Sequence, residues 1–174
     1  MKGIIHERPG VYSSYDASAA VRGGRAARTV GVAAKSTSGT ANAAVRLTSY
    51  EMGLSAFGED AEGTPGMSAI LKLLFLGGAS TVVAVKVDED DYAAAFRVLQ
   101  TVENLQVIVC DSGELTVQQA LRVSLESASA ARRERIAVVG MSDTSIADLT
   151  ERAKALNSER MVLVGPDVLD GAGK

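Results

Sequence analysis

The feature that most constrains this chain is its regular alternation of short apolar strands with amphipathic helices. The clearest strand runs from Ser80 to Val87, and Tyr92, Phe96 and Leu99 follow it at helical spacing. Comparable apolar runs, most of them preceded by helical patterns, lie at 29–34, 106–110, 135–140 and 160–165. A strand that is apolar along its whole length needs cover on both faces, which is typical of βαβ units. We therefore predict an α/β fold with a mostly parallel or mixed sheet and helices on both faces.

Polar residues and glycines mark the ends of the predicted helices. The spacing of Thr48 and Thr116 to a Glu or Gln three residues later predicts that each caps a helix, and Ser145 is predicted to open the last one. Gly77 is predicted to end the second helix. In the last helix, Ile146 is predicted to face the core.

The first 28 residues lack any sustained apolar period and differ from the rest of the chain. Pro9 and Gly10 are followed by Val11 and Tyr12, which predict a short extended segment. Such a segment needs a sheet edge to pair with, in its own chain or in another. The alternative is a disordered terminus. We divide the chain into an extended N-terminal arm (1–28), an α/β domain (29–170) and a short tail (171–174) at a possible truncation point.

Charge is unevenly distributed between the two parts of the sequence. Residues 1–50 hold seven Lys or Arg against two Asp or Glu, and residues 51–174 hold eleven against nineteen. This asymmetry is compatible with a nucleic-acid-binding arm that uses Arg22, Arg25 and Arg28. Because the basic residues are scattered, we favour an arm that docks on an acidic neighbour, such as another copy of the chain, and predict no nucleic-acid partner.

Composition excludes several classes of protein. Cys110 is the single cysteine and His6 the single histidine, which excludes a disulfide framework and a zinc or iron enzyme. The longest apolar run, 69–78, is too short to cross a bilayer, and no secretory signal opens the chain. We expect no membrane embedding and no cofactor.

Asp111 is the strongest candidate for chemistry, because it directly follows a predicted strand. A carboxylate at a strand end can bind a metal or accept a phosphoryl group. The later strand ends supply no Lys to support this, so helix capping by Asp111 is the favoured interpretation. Residues 31–37 combine Gly, Lys and Ser/Thr, but Ala34 stands where a phosphate loop needs glycine. We predict no catalytic site.

Several short motifs, taken in order, resemble the tail sheath family of contractile phage tails, phage-like bacteriocins and related injection systems. The resemblance is carried by Arg8-Pro9-Gly10-Val11-Tyr12, Gly31-Val32-Ala33, Leu47-Thr48-Ser49-Tyr50, Phe57-Gly58, and Leu73 to Ala79 with the valine strand after it. It covers residues 8–87, with a weaker α/β match to about residue 165. Leu76 and Lys86 depart from the family pattern, which often has Asn and Arg there.

The resemblance implies a structural subunit rather than an enzyme. Sheath subunits stack in rings around a tail tube and contract to drive it through a target envelope. Their arms pair with sheets of neighbouring subunits, which makes Pro9, Gly10, Val11 and Tyr12 the expected inter-subunit arm. Gly23 and Gly24 are the expected arm hinge, since glycine permits large backbone rotations.

The implied partners are other copies of the chain, the tail tube protein and baseplate proteins. The implied location is the virion tail, or a particle assembled in the bacterial cytoplasm. Sheath proteins of this family continue well beyond the last predicted strand, so we expect either the N-terminal portion of a longer sheath or a short relative. The alternative is a small cytosolic α/β enzyme or phosphoacceptor that uses Asp111.

Overall fold

The structure is a computed structural model that describes residues 29–142 and 145–165. Within these ranges the chain forms six strands and five helices. In chain order they are β1 (Thr29–Ala34), β2 (Ala44–Leu47), α1 (Tyr50–Phe57), α2 (Met67–Leu76), β3 (Thr81–Lys86), α3 (Tyr92–Thr101), β4 (Val107–Cys110), α4 (Leu115–Ala130), β5 (Ile136–Gly140), α5 (Ile146–Leu156) and β6 (Met161–Val164). None of the described helices is long and apolar enough to cross a membrane.

All six strands belong to one sheet with the order β2-β3-β1-β4-β5-β6. The central strand β1 pairs in parallel with β3 and β4, so that Val30 lies between Val82 and Val107. β5 and β6 continue the parallel arrangement beyond β4. β2 runs antiparallel to β3 at the opposite edge. The predicted fold class is confirmed, and β2 is the strand that makes the sheet mixed.

The direction in which the chain crosses the sheet determines which face each helix covers. From β3 the chain moves past β1 to β4, then to β5 and β6, always in the same direction. Right-handed crossovers in one direction place their helices on one face, which is the face of α3, α4 and α5. The step from β1 to β3 runs in the opposite direction, so α1 and α2 lie on the other face.

Each face of the sheet has its own hydrophobic core. Phe96, Leu121 and Leu125 are buried beneath α3–α5, whereas Phe57 and Leu71 are buried beneath α1 and α2. At the centre, Gly31 lets the segment after α3 approach β1 closely. A Cβ at this position would lie 2.9 Å from Cδ2 of Leu105, which is too close for an unshifted contact.

Two of the predicted helix caps are wrong by one or two residues. α1 is capped by Ser49, whose hydroxyl accepts a hydrogen bond from the Met52 N–H at 3.3 Å, and Thr48 precedes it. α4 begins at Leu115 and has no side-chain cap, so Thr116 lies inside its first turn. Ser145 does cap α5, and α2 does end before Gly77. Neighbouring residues of similar capping ability make the exact start of a helix depend on the preceding turn.

The predicted inward face of α5 is also partly wrong. Ile146 is 82% exposed, whereas Leu156 is 2% exposed and lies in the core. α5 is the last helix on its face and packs on α4 on one side. The first turn of α5 is exposed at residues 146–148, so Ile146 contacts solvent.

The C-terminus of α3 is closed by Arg135, a buried residue at the start of β5. Its guanidinium donates hydrogen bonds to the carbonyl oxygens of Leu99 at 2.9 Å, Val102 at 3.3 Å and Arg133 at 3.4 Å. Burial lowers the pKa of this guanidinium. Arg135 thus satisfies carbonyls that the helix itself leaves without donors, at the end where the helix dipole favours positive charge.

The N-terminus of α2 is closed in a similar way by a residue that lies before the helix. The Asp60 carboxylate accepts hydrogen bonds from the backbone N–H groups of Gly66 at 2.8 Å, Ser68 at 3.0 Å and Ala69 at 2.8 Å. Burial alone raises the pKa of Asp60, but these donors outweigh it and the net pKa is lowered. The N-cap residue Gly66 has no side chain that could accept these hydrogen bonds, so the Asp60 carboxylate accepts them instead.

Candidate functional site

The carboxyl edge of the sheet is the first place to look for chemistry. β1 and β4 are neighbours from which the chain leaves in opposite directions, and ligands of open α/β sheets bind at such switch points. Lys35 follows β1 and Asp111 follows β4. The pairing of β1 with β4 brings these two residues together at this edge.

Both carboxylate oxygens of Asp111 are already engaged. The backbone N–H of Lys35 donates to Oδ2 at 2.8 Å, and the hydroxyl of Tyr92 donates to Oδ1 at 2.6 Å. Burial and the hydrogen bond to Asp111 together raise the pKa of Tyr92. Asp111 therefore ties the end of β1 to the start of α3, and the prediction that it caps a helix is wrong.

The ionisable groups near Asp111 provide neither an activated nucleophile nor a set of metal ligands. The Lys35 amino group donates a hydrogen bond to the Asp90 carboxylate at 2.6 Å, and this bond raises the pKa of Lys35. Burial raises the pKa of the Cys110 thiol to about 11, which keeps it protonated at neutral pH. In the part of the chain that the structure describes, no three His, Cys, Asp or Glu residues are grouped as a metal site requires.

The space beside Asp111 is also small. A cavity of about 240 Å³ lies between residues 110–113 and 140–142. Sites for small molecules usually enclose about 300–1,000 Å³. The carboxyl edge thus holds a structural carboxylate beside a shallow depression, and it gives the phosphoacceptor alternative no support.

The second candidate is a surface, which we call the open face. It is the side of β4, β5 and β6 that faces away from α3–α5, where one β-branched residue follows another. Strand register places the following side chains together on it: Val107, Val109, Ile136, Val138, Val162 and Val164. Among the described residues, α1 and α2 lie on this side of the sheet mainly over β2, β3 and β1, and Val109 of β4 packs against the edge of their cluster.

Exposure confirms that the described residues leave much of the open face uncovered. Ile136, Val162 and Val164 are 42%, 48% and 43% exposed, whereas Ala137 and Val139, which point the other way, are buried. Parallel sheets in folded proteins are almost always covered on both faces. An apolar face of this kind therefore indicates a place where further polypeptide packs.

Among the described strands none pairs with the outer edge of β6, which adjoins the open face. β6 consists of four apolar residues without a charge or a proline, the residue types that usually protect sheet edges. The N–H groups of Ala137 in β5 and of Met141, which directly follows β5, donate to the carbonyls of Arg160 and Val164. Since neighbouring residues alternate, Leu163 directs its N–H and carbonyl away from β5. An added strand can bind there.

The residues that the sequence nominates for assembly are Pro9, Gly10, Val11, Tyr12, Gly23 and Gly24, and all of them lie outside the described residues. Their roles in pairing and as a hinge stay predictions. Sequence reasoning missed the open face, because an apolar strand covered on one side has the same residue pattern as one covered on both. The one available signal was the absence of a helix that could cross back over β4–β6.

No protein-family model matches the chain, and no curated protein sequence matches it. Comparison with solved structures, in contrast, finds contractile-particle components. The contracted helical sheath of the anti-feeding prophage matches with a TM-score of 0.58 and 18% identity, covering 91% of this chain and 45% of that one. A chain in the six-fold symmetrised baseplate of the same prophage matches with a TM-score of 0.52 and 15% identity, covering 91% and 46%.

This chain thus spans less than half the length of the solved chains that it matches. The identities are low, and the likeness is one of fold. At that level the resemblance to contractile-tail sheath proteins is confirmed. The described residues have a sheath-like α/β fold.

Proposed function

We propose that this chain is a structural subunit of a contractile tail sheath, in a phage, a phage-like bacteriocin or a related injection system. The observation that carries the proposal is the likeness to a prophage sheath over 91% of the chain. The open face and the β6 edge support it, because both are surfaces suited to contacts between polypeptides. Both carboxylate oxygens of Asp111 accept hydrogen bonds within the fold, which removes the main reason to expect catalysis.

In this proposal the subunit works by self-assembly around a tail tube. Copies of the chain contact one another, the tube protein and the baseplate, in a particle assembled in the bacterial cytoplasm. The arm with Pro9, Gly10, Val11 and Tyr12 pairs with a sheet edge of a neighbouring subunit, and Gly23 and Gly24 act as its hinge. Main-chain hydrogen bonds hold such a mesh together while subunits rotate during contraction.

The β6 edge gives the proposal a specific test. Replacing Leu163 with proline removes the outward N–H at the centre of this edge, and proline is tolerated where the N–H faces solvent. Leu163→Ala is the matched control, because it loses the same side-chain packing but keeps the N–H. Both variants are compared with the unmodified chain after co-expression with the tube and baseplate proteins of the same gene cluster.

We expect electron microscopy to show tubular or ring-shaped particles that contain the unmodified chain and Leu163→Ala. Leu163→Pro is expected to give few or none, while thermal unfolding shows that it is folded. If the unmodified chain and any longer natural version both fail to form tubes or rings, the proposal is wrong. If Leu163→Pro assembles as well as Leu163→Ala, the β6 edge is not an acceptor.

A further inference from the structure

We propose that a second copy of this chain inserts its acidic loop, residues 88–91, into an arginine-lined furrow at the opposite end of α3. The furrow lies beside the C-termini of α3 and α4, at the amino edge of the sheet, and the acidic loop precedes α3 at the carboxyl edge. The inference deepens the proposed function, on which the choice of a second copy as the partner rests, by naming the surfaces through which one copy meets the next.

The furrow consists of two adjoining cavities of about 390 and 440 Å³, which share Ala131 and Arg133 in their lining. Arg97 lines the first cavity and Arg132 lines the second, and all three arginines are exposed. Guanidinium groups bind carboxylates through two parallel hydrogen bonds. A depression bordered by three of them fits an acidic segment.

The arginines of the furrow exceed what the fold needs at this end. Arg135 already donates to the carbonyl groups at the end of α3, and Arg133 adds one hydrogen bond to the Gln100 carbonyl at 3.0 Å. Neither Arg97 nor Arg132 forms an ion pair or a side-chain hydrogen bond with another described residue. Their charges therefore remain available to a partner.

Two carboxylates also border the second cavity, but they do not neutralise the furrow. Glu134 accepts a hydrogen bond from Ser129 and forms an ion pair with Arg160. Glu103 is exposed and makes no ion pair within the described part of the chain. The furrow thus keeps an excess of positive charge.

The acidic loop has the complementary charge. Asp88, Glu89, Asp90 and Asp91 are all exposed. Asp90 binds Lys35 and Asp91 caps α3, whereas Asp88 and Glu89 have no side-chain partner among the described residues. α3 has 10 residues and is therefore about 15 Å long. Because the acidic loop and the furrow lie at opposite ends of this helix, the loop reaches the furrow of another copy and not its own.

The backbone at both surfaces supports the same assignment. Glu89 has a φ of 48° and Arg132 a φ of 58°, which is the left-handed region. The other described non-glycine residues with positive φ are all asparagines, which adopt this conformation more readily: Asn42, Asn104 and Asn157. Arg132 directly follows the C-cap of α4, where glycine is the usual residue. A charged side chain at such a position is expected where binding requires it.

The two surfaces differ, so the contact is heterologous and repeats in one direction, which gives a ring or a filament. The edge of the six-stranded sheet is about 29 Å wide at a strand spacing of ~4.8 Å. One sheet layer with one helix layer is about 20 Å thick. Two edges that face each other therefore offer up to about 600 Å² around the acidic loop and the furrow, near the ~800 Å² that a standard interface buries on each partner.

Sedimentation velocity of the full-length chain, without tube or baseplate proteins, tests the inference. The furrow variant carries Arg97→Gln and Arg132→Gly. The loop variant carries Asp88→Asn and Glu89→Gly. Each variant keeps one of the two surfaces intact, so the two variants complement each other.

The matched control combines Glu62→Gln and Lys72→Gln, which removes exposed charges of both signs from another part of the surface. Unmodified chain, control, furrow variant and loop variant are compared over a range of concentrations. Each is measured in about 50 mM and about 500 mM salt, since salt screens contacts between exposed charges.

In low salt we expect the unmodified chain and the control to associate as their concentration rises, and high salt to weaken this association. Each variant alone is expected to associate at least about tenfold more weakly. An equal mixture of the two variants is expected to form a dimer and no larger species. The intact loop of the furrow variant binds the intact furrow of the loop variant, and the remaining surfaces are disabled.

Thermal unfolding separates a binding role from a structural one. As single changes, Glu89→Gly and Arg132→Gly are expected to keep the Tm or to raise it, because glycine adopts the left-handed conformation without steric cost. A fall in Tm of more than about 4 °C in either would show that the charged residue serves the fold, and it would overturn the inference.

The inference is also wrong if the unmodified chain stays monomeric in low salt, if either variant associates as strongly as the control, or if the mixture forms no dimer. Tube formation with the tube and baseplate proteins is a separate readout. Tubes from both variants would overturn this contact and leave the proposed function standing. A dimer in the mixture, with no tubes from the unmodified chain or a longer natural version, would do the reverse.

Discussion

Replacing Arg135 with alanine is expected to destabilise the domain by about 3 kcal/mol. Arg135 is 4% exposed, and its guanidinium is the donor for three carbonyl oxygens at the C-terminus of α3 and the turn before β5. A hydrogen bond from a charged donor contributes about 1.5–3 kcal/mol, and long bonds contribute less. We assign about 2 kcal/mol to the bond with Leu99 and about 0.5 kcal/mol to each of the longer bonds.

The Leu99 oxygen also accepts from the Val102 N–H at 3.1 Å, so it keeps one donor in the variant. This second bond limits the expected loss to the lower part of the range for broken buried polar networks. For a chain of this length, 3 kcal/mol corresponds to a fall in Tm of about 6–12 °C.

The measurement is urea unfolding followed by far-UV circular dichroism, since the chain contains no tryptophan. Arg135→Lys keeps the charge but not the planar fork, and we expect it to recover about half of the loss. Arg97→Ala, an exposed arginine on α3, is the control and should change stability by less than about 0.5 kcal/mol. If Arg135→Ala costs less than about 1 kcal/mol, or no more than Arg97→Ala, the capping role assigned to Arg135 is wrong.

Three further predictions follow from the other contacts. Asp60→Asn should cost about 1–2 kcal/mol at neutral pH, as loss of a helix cap does. Because the folded pKa of Asp60 lies below its unfolded value of about 3.9, its contribution is present above that pH and is lost as the pH falls through the folded pKa. Stability measured against pH should therefore decline less steeply on acidification in Asp60→Asn than in the unmodified chain, and equal slopes would contradict this. Tyr92→Phe should cost about 1 kcal/mol by loss of the bond to Asp111, with Tyr50→Phe as the control in the same unfolding assay. Deleting residues 1–28 should leave a cooperative calorimetric transition, because both described cores lie after Thr29, and a broad transition would place the arm in the core.

Sequence reasoning was most successful where a local pattern has a local cause. The valine strand before Lys86 and the end of α2 at Gly77 are both where the residues predict them, because β-branched side chains and glycine act on their own backbone. It was wrong at Thr48 and Ile146. The position of the first cap depended on the turn that precedes α1, and the exposure of Ile146 depended on the tertiary packing around the start of α5.

The candidate sites show the same difference between features with a local cause and features that depend on tertiary contacts. The position of Asp111 at a strand end was predicted, but its partners were not, since they come from β1 and α3, 76 and 19 residues away. The capping role of Arg135 left no sequence signal either, because nothing in a run of arginines shows which one is buried beneath a distant helix.

By itself the sequence determined the class of fold, the positions of most strands and helices, and the division between the first 28 residues and the α/β domain as a prediction. These follow from side-chain periodicity, which reflects the backbone within a few residues. Only the tertiary structure decided the strand order, the partners of Asp111 and the absence of described cover over β4–β6. The physical reason is that each apolar strand presents similar residues to both sides, whereas the direction of the crossovers decides which side receives a helix.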